Sequence, residues 1–249
     1  MPRTALLGAL AAIGLGAYLD LRPQQPWILW LTAALAALAT DGIVRSHRRW
    51  ADPSWLASAV YLFLPALTVM GAGLFIDDAL GGYARAGSAF AGALAVAVVT
   101  FGEYQTVDFG SRLYGPMRLM LAVATYLAAF ALYTVIFSRG VDLPLAAFLA
   151  GVISMTLSLE LLRETHLAGP NSLLVGVAIG VSIAELRLVL YFFALDGLLA
   201  GALLIIGFYL ATGLVHHLLD HDLEWSTTAE YLLVAAVGTA AVVFTRVFV

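Results

Sequence analysis

The sequence has no cysteine and no lysine, and only 11% of its 249 residues are charged. Without cysteine there are no disulfides, iron–sulfur clusters or thiolate zinc sites. Without lysine there is no lysine nucleophile and no Schiff-base lysine. A soluble domain of this length carries about a quarter charged residues. The shortage of charge therefore points to a lipid bilayer as the main solvent.

Apolar residues are what the chain has in excess, at 62% of the sequence with a mean hydropathy of +0.97. A membrane helix needs about 20 apolar residues. The sequence offers nine such stretches, near 4–20, 26–44, 54–76, 84–104, 116–137, 143–164, 171–195, 197–219 and 228–248. The first resembles the apolar part of a signal peptide, and we interpret it as a first, short span. We predict an all-α transmembrane bundle of about nine spans, one N-terminal helix plus four helical hairpins, with residues 1–249 as a single domain.

The distribution of arginine predicts the orientation of the chain. With the N-terminus inside, seven arginines lie on the inner side: Arg3, Arg45, Arg48, Arg49, Arg112, Arg118 and Arg163. Four lie on the outer side: Arg22, Arg85, Arg139 and Arg246. The positive-inside rule then favours a cytoplasmic N-terminus and an outer C-terminus in a prokaryotic plasma membrane. The net charge of −4 argues against nucleic acid as a partner and leaves membrane lipid.

Polar residues gather at the predicted inner ends of four helices. They are Thr40-Asp41, Thr100 with Glu103-Tyr104, Thr156 with Glu160, and Thr212 with His216. Residues three or four apart share a helix face, so each helix presents a short polar line, and four such lines could converge. Ionisable groups inside a bundle are costly and are candidates for function; at span ends they also serve as interfacial anchors. The catalytic candidates are Glu103, Tyr104, Glu160, His216 and Asp220.

The densest polar cluster ends the eighth span, where His217 and His221 are four residues apart. This spacing places two imidazoles on one helix face, where they can bind a metal. A single divalent metal is therefore a candidate cofactor. A third ligand would come from another inner helix end or loop: Glu103, Glu160, Glu164, His166 or His47. The alternative is that both histidines are interfacial or titrating residues.

The longest inner loop suggests what kind of ligand is involved. Its Phe101-Gly-x-Tyr104 and Gly110-x-x-Leu113-x-Gly115 elements resemble a stretch in membrane carotenoid hydratases, over residues 101–115. The resemblance implies an isoprenoid-like substrate. In the preceding inner loop, Arg45, Arg48 and Arg49 suit a phosphate or anionic lipid head groups.

The seventh span carries a stripe of small residues, Ser172, Gly176, Gly180 and Ala184, at a spacing of four. Such stripes let membrane helices approach closely. Arg187 lies on nearly the same face. We therefore expect it to be buried and to need an acid partner, with Asp77, Asp78, Asp142 and Asp196 as candidates.

Taken together, the charges lie mainly at one interface, whereas secondary transporters bind substrate near the midplane. We therefore predict a polar acid and histidine site at the cytoplasmic helix ends that binds or processes a lipid or isoprenoid-like amphiphile. Whether the protein is an enzyme stays open. The alternatives are a non-catalytic subunit that docks a protein partner in a larger membrane complex, and a small-solute or proton-coupled transporter.

Overall fold

The computed structural model describes residues 2–21, 23, 25–50, 55–164, 170–193, 195–220 and 224–248. Within these residues the chain is all-helical, as the sequence predicts. The helices are α1 (Pro2–Asp20), α2 (Pro26–Arg45), α3 (Trp55–Ala79), α4 (Gly82–Gln105), α5 (Tyr114–Ser138), α6 (Leu143–Leu161), α7 (Pro170–Leu190), α8 (Gly197–Leu219) and α9 (Trp225–Phe248). A short 3-10 turn, Leu162–Glu164, follows α6.

Eight of these helices, α2 to α9, are long and apolar enough to cross a membrane. The prediction of a polytopic helical bundle is confirmed, and the chain is an integral membrane protein. α1 is not among the eight; it is 19 residues long and carries Arg3 and Asp20 at its ends.

Local chemistry explains where several helices begin and end. Pro26 and Pro144 lie in the first turns of α2 and α6, where the missing N–H removes no helix hydrogen bond. Gly140, in the turn between α5 and α6, has φ = +59°, a conformation that favours glycine. Asp196 caps α8 by accepting a hydrogen bond from the Leu199 N–H at 2.8 Å.

The chain divides into two compact units, Met1–Ala128 (unit 1) and Ala129–Val249 (unit 2). In unit 1, α1 packs on α2 and α4, and α3 packs on the same two helices. Leu15, Leu64 and Val96 are fully buried in its core. The prediction of a single domain over 1–249 stays a prediction.

Unit 2 is dominated by the packing of α6 on α7. A Cβ added to Gly180 would lie 2.6 Å from the carbonyl oxygen of Gly151, and one added to Gly176 would lie 3.1 Å from Leu159 Cδ2. The small-residue stripe on α7 therefore does permit close approach. α7 and α8 also contact each other, and α9 packs on α8.

Candidate functional site

Buried polar side chains of unit 1 gather where α2 and α4 end. Thr40, Thr100 and Glu103 are fully buried, and the hydroxyls of Thr40 and Thr100 are hydrogen-bonded at 3.0 Å. Thr106, which caps α4, donates its hydroxyl to the Glu103 carbonyl at 3.1 Å. Two of the predicted polar lines, those of α2 and α4, therefore do meet.

Tyr104, next to this buried group, packs against a histidine from the end of α2. The ring centroids of Tyr104 and His47 are 4.6 Å apart in an edge-to-face arrangement. Nδ1 of His47 accepts a hydrogen bond from the backbone N–H of Arg49 at 3.1 Å. In the neutral imidazole the proton therefore lies on Nε2.

A cavity of about 490 Å³ lies beside Tyr104. Its walls come from the start of α1, the end of α2 and the end of α4: Arg3, Thr4, Ile43, Ser46, Phe101, Tyr104 and Gln105. A second cavity, of about 570 Å³, is lined by His47, Arg48, Arg49 and Asp108. Arg49 forms an ion pair with Asp108, whose carboxylate also accepts the Gly110 N–H at 2.9 Å. His47 lines the second cavity and contacts Tyr104 of the first, so the two cavities are neighbours.

An apolar groove of about 310 Å³ follows the same two helices, α1 and α2. It is lined by Leu7, Leu10, Ala11, Ile13, Gly14, Ala17, Trp27, Ile28, Leu31, Thr32, Leu35 and Ala36. Leu7 is four residues after Arg3 and Ile43 is seven after Ala36, so the groove and the first cavity use the same helix faces. A Cβ on Gly14 would overlap Thr32, which shows how closely α1 approaches α2.

Arg45 has a different role from its neighbours in the basic loop. It pairs with Asp41 at 2.9 Å, and its Nη2 donates to the hydroxyl of Ser58 at 2.7 Å. These bonds connect the end of α2 to α3, so Arg45 has a structural role. Arg48 and Arg49 line the cavity instead.

Of the predicted site residues of unit 2, Glu160 and His216 have partners near their own helix ends, whereas His217 contacts α9. Glu160, almost fully buried, accepts from Arg163 at 3.1 Å. His216 lies 3.3 Å from Asp220, and the ring of His217 packs edge-to-face on Tyr231 at 5.6 Å between centroids.

The threonines of the two remaining polar lines also bond within their own helices. Thr156 donates to the Val152 carbonyl at 2.9 Å, and Thr212 donates to the Phe208 carbonyl at 2.7 Å. Serine and threonine hydroxyls in helices commonly bond to the carbonyl four residues earlier.

The predicted metal site is only partly visible. His221, His166 and the side chain of Glu164 lie outside the described residues. Among the residues that are described, no three potential ligands form a group that could hold a metal. Metal binding by His217 and His221 stays a prediction.

Arg187 is buried, as predicted, with 4% of its surface exposed. Among the described residues of unit 2, Arg187 has no acid partner, so the prediction is wrong for the candidates Asp142 and Asp196. The guanidinium carbon lies 3.8 Å from the centre of the Phe137 ring, whereas Asp196 caps α8 and Asp77 pairs with Arg85. The face of Arg187 could be read from its spacing to Gly180, but its partner could not.

Sequence reasoning also missed the part played by α1. The sequence alone indicates Arg3 only as a charge that sets the orientation of the chain, and Leu7 only as part of an apolar span. Their spacing of four residues was the available signal, since it places a cation directly above an apolar face.

Comparison with known proteins adds one finding. No curated protein and no solved structure matches the chain. A family model described as "Protein of unknown function (DUF5656)" matches residues 7–245, which is nearly the whole sequence. The chain therefore belongs to the DUF5656 family.

Proposed function

We propose that the protein binds an amphiphile in unit 1, with the polar head in the Arg3–Tyr104 cavity and the apolar tail in the groove between α1 and α2. One observation carries the proposal: a mixed polar cavity and an almost wholly apolar groove share the same faces of the same two helices. A ligand with one polar end and one long apolar end fits this arrangement.

The chemistry of the cavity favours an anionic head group. Arg3 supplies a guanidinium, which binds phosphate or carboxylate through two parallel hydrogen bonds. Tyr104 and Gln105 add neutral hydrogen-bonding groups. Arg48 and Arg49 in the neighbouring cavity raise the local positive potential, although Asp108 offsets part of it.

The groove sets the length of the tail. From Leu7 to Ala17 a helix rises about 15 Å, half of the roughly 30 Å hydrocarbon thickness of a bilayer. The groove therefore suits a tail confined to one leaflet. Lipid tails are as apolar as the groove, so moving the tail from lipid into protein contributes little affinity. The interaction with the head group therefore determines which ligands bind, and the shape of the groove determines which tails fit.

Binding does not require all of the predicted catalytic residues. Tyr104 lines the cavity, whereas Glu103 is fully buried in the packing of unit 1. The proposal is therefore one of ligand binding, and turnover of the ligand is a separate hypothesis.

The test compares farnesyl phosphate with farnesol, which has the same tail and no charge, on the full chain purified in detergent. Farnesyl phosphate should raise the thermal unfolding midpoint, because a ligand at 100 times its Kd stabilises the folded state by about 2.7 kcal/mol. Arg3→Gln should weaken binding about tenfold or more, as loss of a charge-assisted hydrogen bond does. Arg112→Gln, an exposed arginine that does not line the cavity, is the control.

A second pair of variants tests the groove. Leu10→Trp should block the tail, because Leu10 lines the groove and is 47% exposed. Leu6→Trp is the matched control, since Leu6 lies on the same helix, is 66% exposed and is not a groove residue. Equal effects of farnesol and farnesyl phosphate, or unchanged binding in both Arg3→Gln and Leu10→Trp, would overturn the proposal.

A further inference from the structure

Unit 2 contains a buried arginine with two hydrogen-bond donors that no described residue accepts. Arg187 extends the inward stripe of α7, in which Ile179, Ile183 and Leu190 are buried. Its guanidinium stacks on Phe137 of α5. Nε and Nη1 are buried, and neither has a hydrogen-bond acceptor among the described residues.

A buried arginine with unused donors is expected to bind an anion. The guanidinium keeps its charge in proteins and can only donate, and a buried charge without a partner is strongly destabilising. The stacking on Phe137 offsets part of this cost, but an aromatic ring does not satisfy two N–H groups. An oxyanion would do so with two parallel hydrogen bonds.

An apolar groove lies one helical turn before Arg187, although Arg187 is not itself part of the groove walls. It has a volume of about 190 Å³ and lies between α6 and α7, lined by Phe148, Gly151, Val152, Met155, Val177, Gly180, Val181 and Ala184. Phe148 is 65% exposed and Val181 52%, so the groove is open at the surface of unit 2. Ala184 is three residues before Arg187, about 4.5 Å along the helix axis.

The residues after Arg187 place it close to the membrane interface. Tyr191, Phe192 and Phe193 follow the end of α7 and are 57%, 82% and 52% exposed. An exposed tyrosine such as Tyr191 at the end of a span is typical of the head-group layer. Arg187 lies one turn inside that layer, at a depth that the acidic end of a lipid can reach.

We propose that unit 2 carries a second site, in which the carboxylate or phosphate of an anionic amphiphile binds Arg187 and its chain lies in the α6–α7 groove. The site shares no residue with the one proposed in unit 1. The observations that carry it are the two unused guanidinium donors and the apolar groove that ends one turn away.

The test uses oleate, monoolein and inorganic phosphate as probes of the full chain. Oleate and monoolein share a tail but differ in charge, and inorganic phosphate supplies an oxyanion with no tail. Thermal unfolding midpoints and equilibrium binding are measured in the Arg3→Gln background, so that the unit 1 site does not contribute. Oleate should raise the midpoint, and monoolein and phosphate should not.

Arg187→Gln should weaken oleate binding about tenfold or more. Arg246→Gln should leave it unchanged, because Arg246 is an exposed arginine in the last turn of α9. Should Arg187→Gln fail to fold, a groove pair keeps the test decisive. Val181→Phe should reduce oleate binding, whereas Val189→Phe, at a residue that is 53% exposed and outside the groove, should not.

Three results would overturn the proposal. One is equal binding of oleate and monoolein. Another is oleate binding that neither Arg187→Gln nor Val181→Phe changes. The third is a shift with inorganic phosphate as large as that with oleate, which would mean a free anion site in place of an amphiphile site.

Discussion

The two units treat polar residues at helix ends differently. In unit 1, the hydroxyls of Thr40 of α2 and Thr100 of α4 are hydrogen-bonded to each other. Tyr104 of α4 packs on His47, which follows α2. In unit 2, Glu160 pairs with Arg163 three residues later, and His216 pairs with Asp220 four residues later. The sequence pattern at these ends is similar. Charged groups pair locally in both units, since Asp41 of unit 1 also pairs with Arg45 four residues later. What distinguishes unit 1 is that the hydroxyls of Thr40 and Thr100 connect two helix ends.

The units also differ in how closely their helices approach. In unit 2, the backbones of α6 and α7 meet at Gly151 and Gly180, whereas in unit 1 the close approach of α1 and α2 joins Gly14 to the side chain of Thr32. A backbone carbonyl cannot move aside, but a side chain has other rotamers. We therefore expect unit 2 to tolerate added volume less well than unit 1.

The largest expected effect tests this difference directly. Gly180→Leu should separate α6 from α7, because even a Cβ at this position would lie 2.6 Å from the Gly151 carbonyl. Overpacking of this kind costs about 1–3 kcal/mol. Gly14→Leu in unit 1 should cost less, because the Thr32 side chain can turn away, and Gly16→Leu, with nothing within 4 Å of its Cβ, is the control for both. Thermal unfolding in detergent measures all three, and equal midpoints for Gly180→Leu and Gly14→Leu would remove the packing distinction between the units.

A smaller effect concerns how helices begin. α8 of unit 2 is capped by the Asp196 side chain, whereas α2 and α4 of unit 1 begin without a side-chain cap. Asp196→Ala should lower stability by about 1 kcal/mol, the usual value of an N-cap. Asp142→Ala, at the start of α6 where the carboxylate makes no capping bond, should lower it clearly less. A similar loss in both variants would mean that charge near the helix end, and not the cap, stabilises α8.

The smallest effect compares one hydrogen bond from each unit. Thr40 and Thr100 in unit 1 are bonded at 3.0 Å, and Tyr133 and Ser154 in unit 2 at 2.6 Å. Bonds between membrane helices couple by about 0.6 kcal/mol on average. Double-mutant cycles with Thr40→Val and Thr100→Val, and with Tyr133→Phe and Ser154→Ala, should give about this value, with the shorter Tyr133–Ser154 bond higher. The reverse order would mean that bond length does not rank the two couplings.

The helices themselves follow from the sequence. Their number, their approximate bounds and the close approach along Gly176 and Gly180 depend on hydropathy and spacing, which are local properties of the chain. The burial of Arg187 follows from the same spacing. Its stacking on Phe137 does not, because it depends on which side of α7 faces α5.

The candidate site was only partly predictable for the same reason. Tyr104 was identified as a polar residue near the end of its helix, and it does line a cavity. Arg3 lies a hundred residues away in sequence and joins it only through the packing of α1 on α4. Sequence spacing does not relate residues on helices so far apart in the chain. A cavity between two such helices therefore cannot be predicted from the sequence pattern.

The last helix, α9, has a consequence for the order in which unit 2 comes apart. Of its described residues, Val242 alone is buried. Close contacts with α8 occur at Gly213 beside Tyr231 and at Gly238 beside Ile206. Amide exchange of a helix is set by the cheapest opening that exposes it. Since few side chains must part to release α9, its amides should exchange with solvent deuterium well before those of α6 or α7 once detergent replaces lipid. In a bilayer the same helix stays protected, because hydrocarbon forces its backbone to remain hydrogen-bonded.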